Sequence, residues 1–283
     1  MMNENCAPAN RRLRKAAVIG FSASALLFLT PSAQATNLVL NGNFSSYTTT
    51  GSNTNGQVDF NVTVADWSMK AGGPTSGAGT LGYTELFTPG SADTTGVPVS
   101  FGHQLTLWGP GGGLSSHDYS NNGMPASSPI GGNYIGSDAA FDVDAIQQTI
   151  NGLTIGDQYA LSFYYAGAQQ GYDSSDPNGY SGATTETWQV SLGSNTQTAP
   201  VLSNASHGFT GWKYETMDFT ATGTSETLSF LAVGTPGQTQ PPFALLDDVS
   251  LTKTPEPATL PLIFTGLMGG VSILRSRKKA LKI

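Results

Sequence analysis

Residues 159–166 read YALSFYYA, with Tyr159, Leu161, Phe163 and Tyr165 at every second position and Ser162 and Tyr164 between them. A period of two marks a strand with one buried face, and the long 3.6-residue patterns of amphipathic helices are absent between residues 36 and 254. The alternation recurs at Val58, Phe60, Val62 and Val64, which predicts a half-buried strand leading to Trp67. Further strands are predicted at 37–40, 81–87, 103–108, 133–137, 145–150, 187–192, 212–220, 227–233 and 243–251. Residues 70–132 are rich in Gly, Ser and Pro and read as long loops with short strands, and 169–185 read as a polar loop. The chain is therefore expected to be all-β: a two-sheet antiparallel β-sandwich with long loops.

Both ends carry a different signal. Arg11, Arg12, Arg14 and Lys15 precede an apolar run at 16–29, and Ala33-Gln34-Ala35 follows as a small-x-small cleavage site. That is the layout of a secretory signal peptide, a signal helix over 1–35, with the mature chain starting at Thr36. The far end, 255–283, reads Pro255-Glu256-Pro257, then an apolar run at 258–274, then Arg275, Arg277, Lys278, Lys279 and Lys282. At about 1.5 Å per residue the run spans roughly 25 Å, a short membrane helix, and the basic end holds its C-terminus in the cytoplasm. Taken as residues alone, this reads as an ordinary single-pass anchor.

The part between the two ends is one domain, 36–254. It keeps three lysines (Lys70, Lys213, Lys253) against seventeen Asp and Glu, a formal charge of −14, and has no arginine. Such a surface repels phosphate backbones, so nucleic acid is excluded as a partner. The only cysteine, Cys6, lies in the signal segment, so disulfides, thiol catalysis and cysteine-bound zinc are excluded as well. Enzymatic activity is not expected, because His103, His117 and His207 are far apart in sequence and no nucleophile elbow, phosphate loop or HExxH occurs. Asp138, Asp142 and Asp144 read as solvated or turn-forming acids rather than as a glycosidase pair.

Candidate sites are of two kinds. Sugars stack their C–H faces on aromatic rings and exchange hydrogen bonds with amides and carboxylates. Tyr164 on the outward face of its strand, Gln169, Gln170, Tyr172 and Tyr180 after it, and Trp108 beside a glycine run are the residues for such a role; Trp67, Trp188 and Trp212 read as packing. Asp247 shares, by period two, the inward face of Leu245, Val249 and Leu251, and an ionised carboxylate placed inward needs a partner. A calcium ion is one answer, and hydrogen bonds at a strand end are the other.

Two resemblances add to this reading. The PEP tripeptide followed at once by an apolar helix and an Arg/Lys cluster resembles the PEP-CTERM sorting signal of exported proteins in Gram-negative bacteria that make exopolysaccharide. That resemblance implies processing by an exosortase, temporary membrane attachment through the C-terminal helix, and a cell-surface or extracellular product. NLVLNGNF at the mature start, Gln147-Gln148, GLTIGDQYALSFYYA, and the closing LLDDVSL resemble galactose-binding-like jelly rolls, including carbohydrate-binding modules and DUF642-type secreted proteins. This implies a jelly roll, a non-catalytic glycan-binding role towards extracellular polysaccharide, and a structural Ca²⁺ held by Asp247 with the turn that contains Asn43. Ser45 stands where many relatives have a carboxylate. The alternative is a structural matrix or surface protein acting by self-association, without a defined ligand.

Overall fold

A computed structural model describes residues 36–69, 82–94, 96–100, 102–110, 122–141, 144–173, 179–236 and 240–255. The signal segment 1–35, Asp142, and everything from Glu256 onward, including Pro257, the apolar run and the basic cluster, lie outside the described residues. Pro255 is exposed. Among the described residues no helix is long and apolar enough to cross a membrane.

In chain order the strands are β1 (Tyr47–Thr49), β2 (Gly56–Gln57), β3 (Val62–Val64), β4 (Ser68–Met69), β5 (Thr84–Phe87), β6 (Val97–Pro98), β7 (Gln104–Leu107) and β8 (Tyr134–Asp138). They continue as β9 (Ile146–Asn151), β10 (Gln158–Asp173), β11 (Thr184–Leu192), β12 (Asn195–Thr198), β13 (Leu202–Asn204), β14 (Lys213–Thr220), β15 (Ser225–Thr235) and β16 (Pro242–Lys253). A large sheet runs β2-β5-β8-β16-β10-β7-β6, with β14 also beside β10. A smaller sheet runs β12-β11-β15-β9-β4, with β13 beside β11, and β1 and β3 form a separate ribbon. Every strand ladder is antiparallel, so the expected two-sheet antiparallel sandwich is what forms.

The main core lies between the sheets. It holds the predicted alternating set Tyr159, Leu161, Phe163 and Tyr165 with Trp67, Trp188, Val190, Phe230, Met217, Phe219, Val249 and Leu251. Phe230 is its hub: its ring lies 5.2 Å from Phe163 and 6.0 Å from Trp188, both edge-to-face, and 6.3 Å from Trp67. The Trp188 indole donates to the Leu245 carbonyl at 3.0 Å, which ties the small sheet to β16.

A second core covers the outer face of the large sheet. Leu86, Ile135, Ala244 and Leu246 belong to the main core, while their neighbours Phe87, Tyr134, Phe243 and Leu245 belong to the second, so β5, β8 and β16 bury both faces. The cover comes from the glycine-rich stretch: Ala92, Val97, Val99, Leu105, Leu107 and Met124 pack onto that face.

Two strand predictions fail locally. The alternation from Val58 to Val64 is not one strand, because Asp59 takes a positive φ of 63° and Phe60 and Asn61 both donate to the Gln57 carbonyl in a tight turn. The Asp59 carboxylate fixes this turn by accepting from the Met69 N–H at 2.7 Å, and Phe60 is left exposed. Residues 37–40 make only an isolated bridge, Asn37 to Thr252. The chain there is held by a side chain instead: Gln148 accepts from the Leu40 N–H and donates to the Leu40 carbonyl, both at 2.8 Å, as a strand neighbour would.

Candidate functional site

The residues singled out in the sequence separate into two places. β10 does not end at residue 166. Ala166, Gly167, Ala168 and Gln169 pair with Leu245, Ala244, Phe243 and Pro242, and Gln170, Tyr172 and Asp173 pair with Leu107, Thr106 and Leu105. Gln169, Gln170 and Tyr172 are thus strand residues, not members of a polar loop. Gln169 and Gln170 are also buried, which corrects their assignment as open ligand-binding side chains. A buried amide is tolerated only when its hydrogen bonds are made. Gln169 donates to the Gly182 carbonyl at 3.2 Å and accepts from the His207 N–H at 2.7 Å.

Those bonds build a nook at the far end of β10. Trp108 donates from its backbone N–H to the Gln169 carbonyl at 2.9 Å and from its indole to the Tyr180 carbonyl at 3.1 Å. The His207 ring stacks on Trp108 at 3.7 Å with planes 18° apart. Asn122 donates to the Trp108 and His207 carbonyls at 2.9 and 3.1 Å. Trp108 and Tyr180 therefore do come together, but the indole is already covered on one side by an imidazole. Gly182 takes φ +140°, a conformation that L side chains rarely adopt and glycine does at little cost.

Tyr164 lies elsewhere. It pairs directly with Tyr214 on β14, and the two rings are 5.1 Å apart at 57° on the outer face of the large sheet. Tyr214 is 58 % exposed, and Tyr164 is half-buried. On that outer face Phe87 stacks on Tyr134 at 5.5 Å, and Tyr134 meets Trp212 edge-on at 5.7 Å. Trp212 packs against the second core rather than the main one.

Asp247 is opposite Tyr164 in the ladder. Its predicted company is wrong, for a local reason. The pairing shifts between Ser162 and Tyr164, which places Asp248 and Val249 together opposite Phe163, and Asp248 has φ +52°. This β-bulge reverses the alternation, so Leu245 and Asp247 point to the outer face while Val249 and Leu251 point to the main core. The carboxyl is fully enclosed. Oδ2 accepts from the Ser128 hydroxyl, and Oδ1 has no hydrogen-bond partner. Burial pushes its pKa up to about 7, opposed by the Ser128 bond and by a backbone hydrogen bond from Asp248, whose charge adds a smaller upward push. Asn43 is exposed, with Oδ1 accepting from the Ser45 hydroxyl at 2.9 Å. Among the described residues, no group of three or more His, Asp or Glu side chains converges to hold a metal ion.

Other acids are buried as well. Burial raises Glu186 to about 8 and raises Glu85 well above its ordinary value, the latter with help from Asp138. Asp138 and Asp144 act within turns, accepting from the backbone N–H groups of Ala140 and Phe141 and of Ala145. Tyr214 and Ser181 are not among the candidates the sequence offers, and His207 enters there only as one of three histidines far apart. Only the strand register brings Tyr214 to Tyr164, and His207 reaches Trp108 through a left-handed turn at φ +64°.

No family model matches the chain, and no curated protein matches it. Solved structures do match at low identity. The module TmCBM61 in complex with β-1,4-galactotriose is 13 % identical over 78 % of this chain and 100 % of that one, with a TM-score of 0.29. The carbohydrate-binding module CBM6cm-2 from Cellvibrio mixtus lichenase 5A, in complex with cellotriose, is 13 % identical over 60 % of this chain and 97 % of that one, at 0.27. The enzymatically active domain of bacteriophage CBA120 tailspike protein 4 is 12 % identical over 77 % of this chain, which spans about a fifth (21 %) of that chain, at 0.32.

Proposed function

We propose that the chain is an exported β-sandwich protein that binds a glycan, the producing cell's own exopolysaccharide, through the Tyr164–Tyr214 platform. The observation that carries this reading is the pair of tyrosine rings at 5.1 Å, one of them 58 % exposed, on an otherwise polar stretch of sheet beside the second core. Paired rings offer sugar C–H faces a stacking surface, and the phenol hydroxyls add directional hydrogen bonds. Ser162, Thr216 and Ser250, alternating on the same face, supply further hydroxyls. The test is a pull-down of residues 36–255 on the producer's polysaccharide, with Tyr214→Ala as the control. Retention by the wild type and its loss in the variant supports the reading, and no retention overturns it. Assembly of the chain with concentration and without sugar would favour the self-association alternative.

Structural calcium belongs to the same proposal. The enclosed, unpartnered Oδ1 of Asp247 is the oxygen that would take a hard cation, whereas the Asn43 oxygen is engaged in its own turn. Melting in calcium against chelator tests it: equal melting temperatures remove the ion. Export and exosortase processing rest on the two ends of the sequence. They predict a cell-surface form whose C-terminus lies near 255–257, whereas an intact peptide ending at Ile283 would leave an ordinary anchor.

A further inference from the structure

The nook at Trp108 holds a nucleophile and a base from segments that the strand order brings together. We propose that Ser181 is an activated nucleophile, with His207 as its general base, and that it accepts the acyl group of a small ester. Ser181 Oγ lies 2.7 Å from His207 Nε2, within the reach that proton transfer requires. The imidazole is held from three directions. Its face stacks on Trp108 at 3.7 Å, its backbone N–H donates to buried Gln169 at 2.7 Å, and the ring hydrogen-bonds to the Tyr180 backbone. In the neutral tautomer that carries its proton on Nδ1, Nε2 offers its lone pair to the serine hydroxyl, and the Trp108 stack and the Gln169 bond fix the position from which it does so. The loop that carries Ser181 is pinned as well: Gly182 N–H donates to the Ser206 hydroxyl at 2.8 Å. His207 adopts φ +64°, a conformation that costs a non-glycine residue energy and is sustained by these contacts. Burial lowers the pKa of His207, which keeps it in the basic form at neutral pH.

The chemistry balances without a further reactant except water. Ser181 Oγ attacks the ester carbonyl carbon as its proton passes to Nε2. The bond to the alcohol oxygen breaks, and the alcohol leaves with the proton returned by the imidazolium. Water then attacks the acyl-serine with its proton passing to Nε2, the carboxylic acid departs, and Ser181 recovers its proton. The substrate class is an ester of a small carboxylic acid. That the ester is carried on a sugar hydroxyl rests on the glycan reading; the rest of the proposal does not.

The experiment treats the purified full chain with p-nitrophenyl acetate and, separately, with a fluorophosphonate probe, followed by peptide mass mapping. The expected result is one phosphonyl adduct on Ser181 and a hydrolysis rate that falls on the order of 10²-fold or more in Ser181→Ala. Ser181 is exposed, so this variant is expected to melt at the wild-type temperature. The wild-type rate should rise with pH and level off with an apparent pKa below the ordinary histidine value, and His207→Gln should remove that profile. Equal rates in wild type and Ser181→Ala, or an adduct on another residue, overturn the proposal. Because the probes carry no sugar, such a failure leaves polysaccharide retention unaffected.

Discussion

The two faces of the large sheet are built by different means. The inner face is packed by strands against strands, with Tyr159, Leu161, Phe163 and Tyr165 meeting Trp188 and Phe230 across the sandwich. The outer face is packed over most of its width by a glycine-rich insertion whose own strands, β6 and β7, are two and four residues long. On the same face Tyr214 is exposed and Tyr164 half-buried, and neither belongs to the second core. The face proposed to bind glycan is therefore the part of the large sheet where rings of β10 and β14 lie beside the second core rather than within it.

This contrast can be tested from its strongest element downward. Trp188→Ala removes a fully buried ring, its edge-to-face contact with Phe230 and its bond to Leu245, and is expected to cost about 3–5 kcal/mol with loss of the whole fold's cooperative transition. Leu105→Ala in the second core is expected to cost about 2–4 kcal/mol, with amide exchange accelerating in β5 to β8 before it does in β11 and β15. Uniform acceleration across both sheets would show that the cover and the sandwich unfold as one unit, and would break the comparison.

A pH series examines the buried acids. A carboxyl whose pKa is raised by folding favours the folded state while it stays protonated. For Glu186, stability is expected to fall as pH rises from the ordinary Glu value through about 8 and to be level above it. The local slope is about 1.4 kcal/mol per pH unit, and Glu186→Gln should remove it in denaturant titrations run across that window. Persistence of the same slope in the variant would assign it to Glu85 or Asp247. Tyr214→Ala stands at the small end for stability, within about 0.5 kcal/mol, while polysaccharide retention is lost. A melting shift well beyond that would mean that the ring belongs to the packed part of the face.

Several elements were legible without coordinates because they depend on neighbours in sequence. The alternation at 159–166 predicts the strand and the inward side of Tyr159 to Tyr165, and Trp67 and Trp188 pack in the main core as expected. The consecutive apolar run Phe243-Ala244-Leu245-Leu246 carried a further message, since a strand apolar at every position is buried on both faces. That run is the signal from which the second core could have been anticipated.

Other features depended on contacts between distant residues. One left-handed residue, Asp248, reverses the side on which Asp247 lies, and another, Asp59, turns an alternating stretch into a bend. Period two counts positions, and a single extra residue shifts the count for everything beyond it. Ser181 and His207 are 26 residues apart, and Trp108 is further still; their meeting follows from the pairing of β10 with β7 and from the Gln169 amide. The sequence by itself determined an all-β, acidic, cysteine-free domain between two apolar end segments, because composition and periodicity are local properties. Only the tertiary structure decided which face is covered, where the tyrosine platform opens and which serine meets a histidine, because each of these is fixed by strand register.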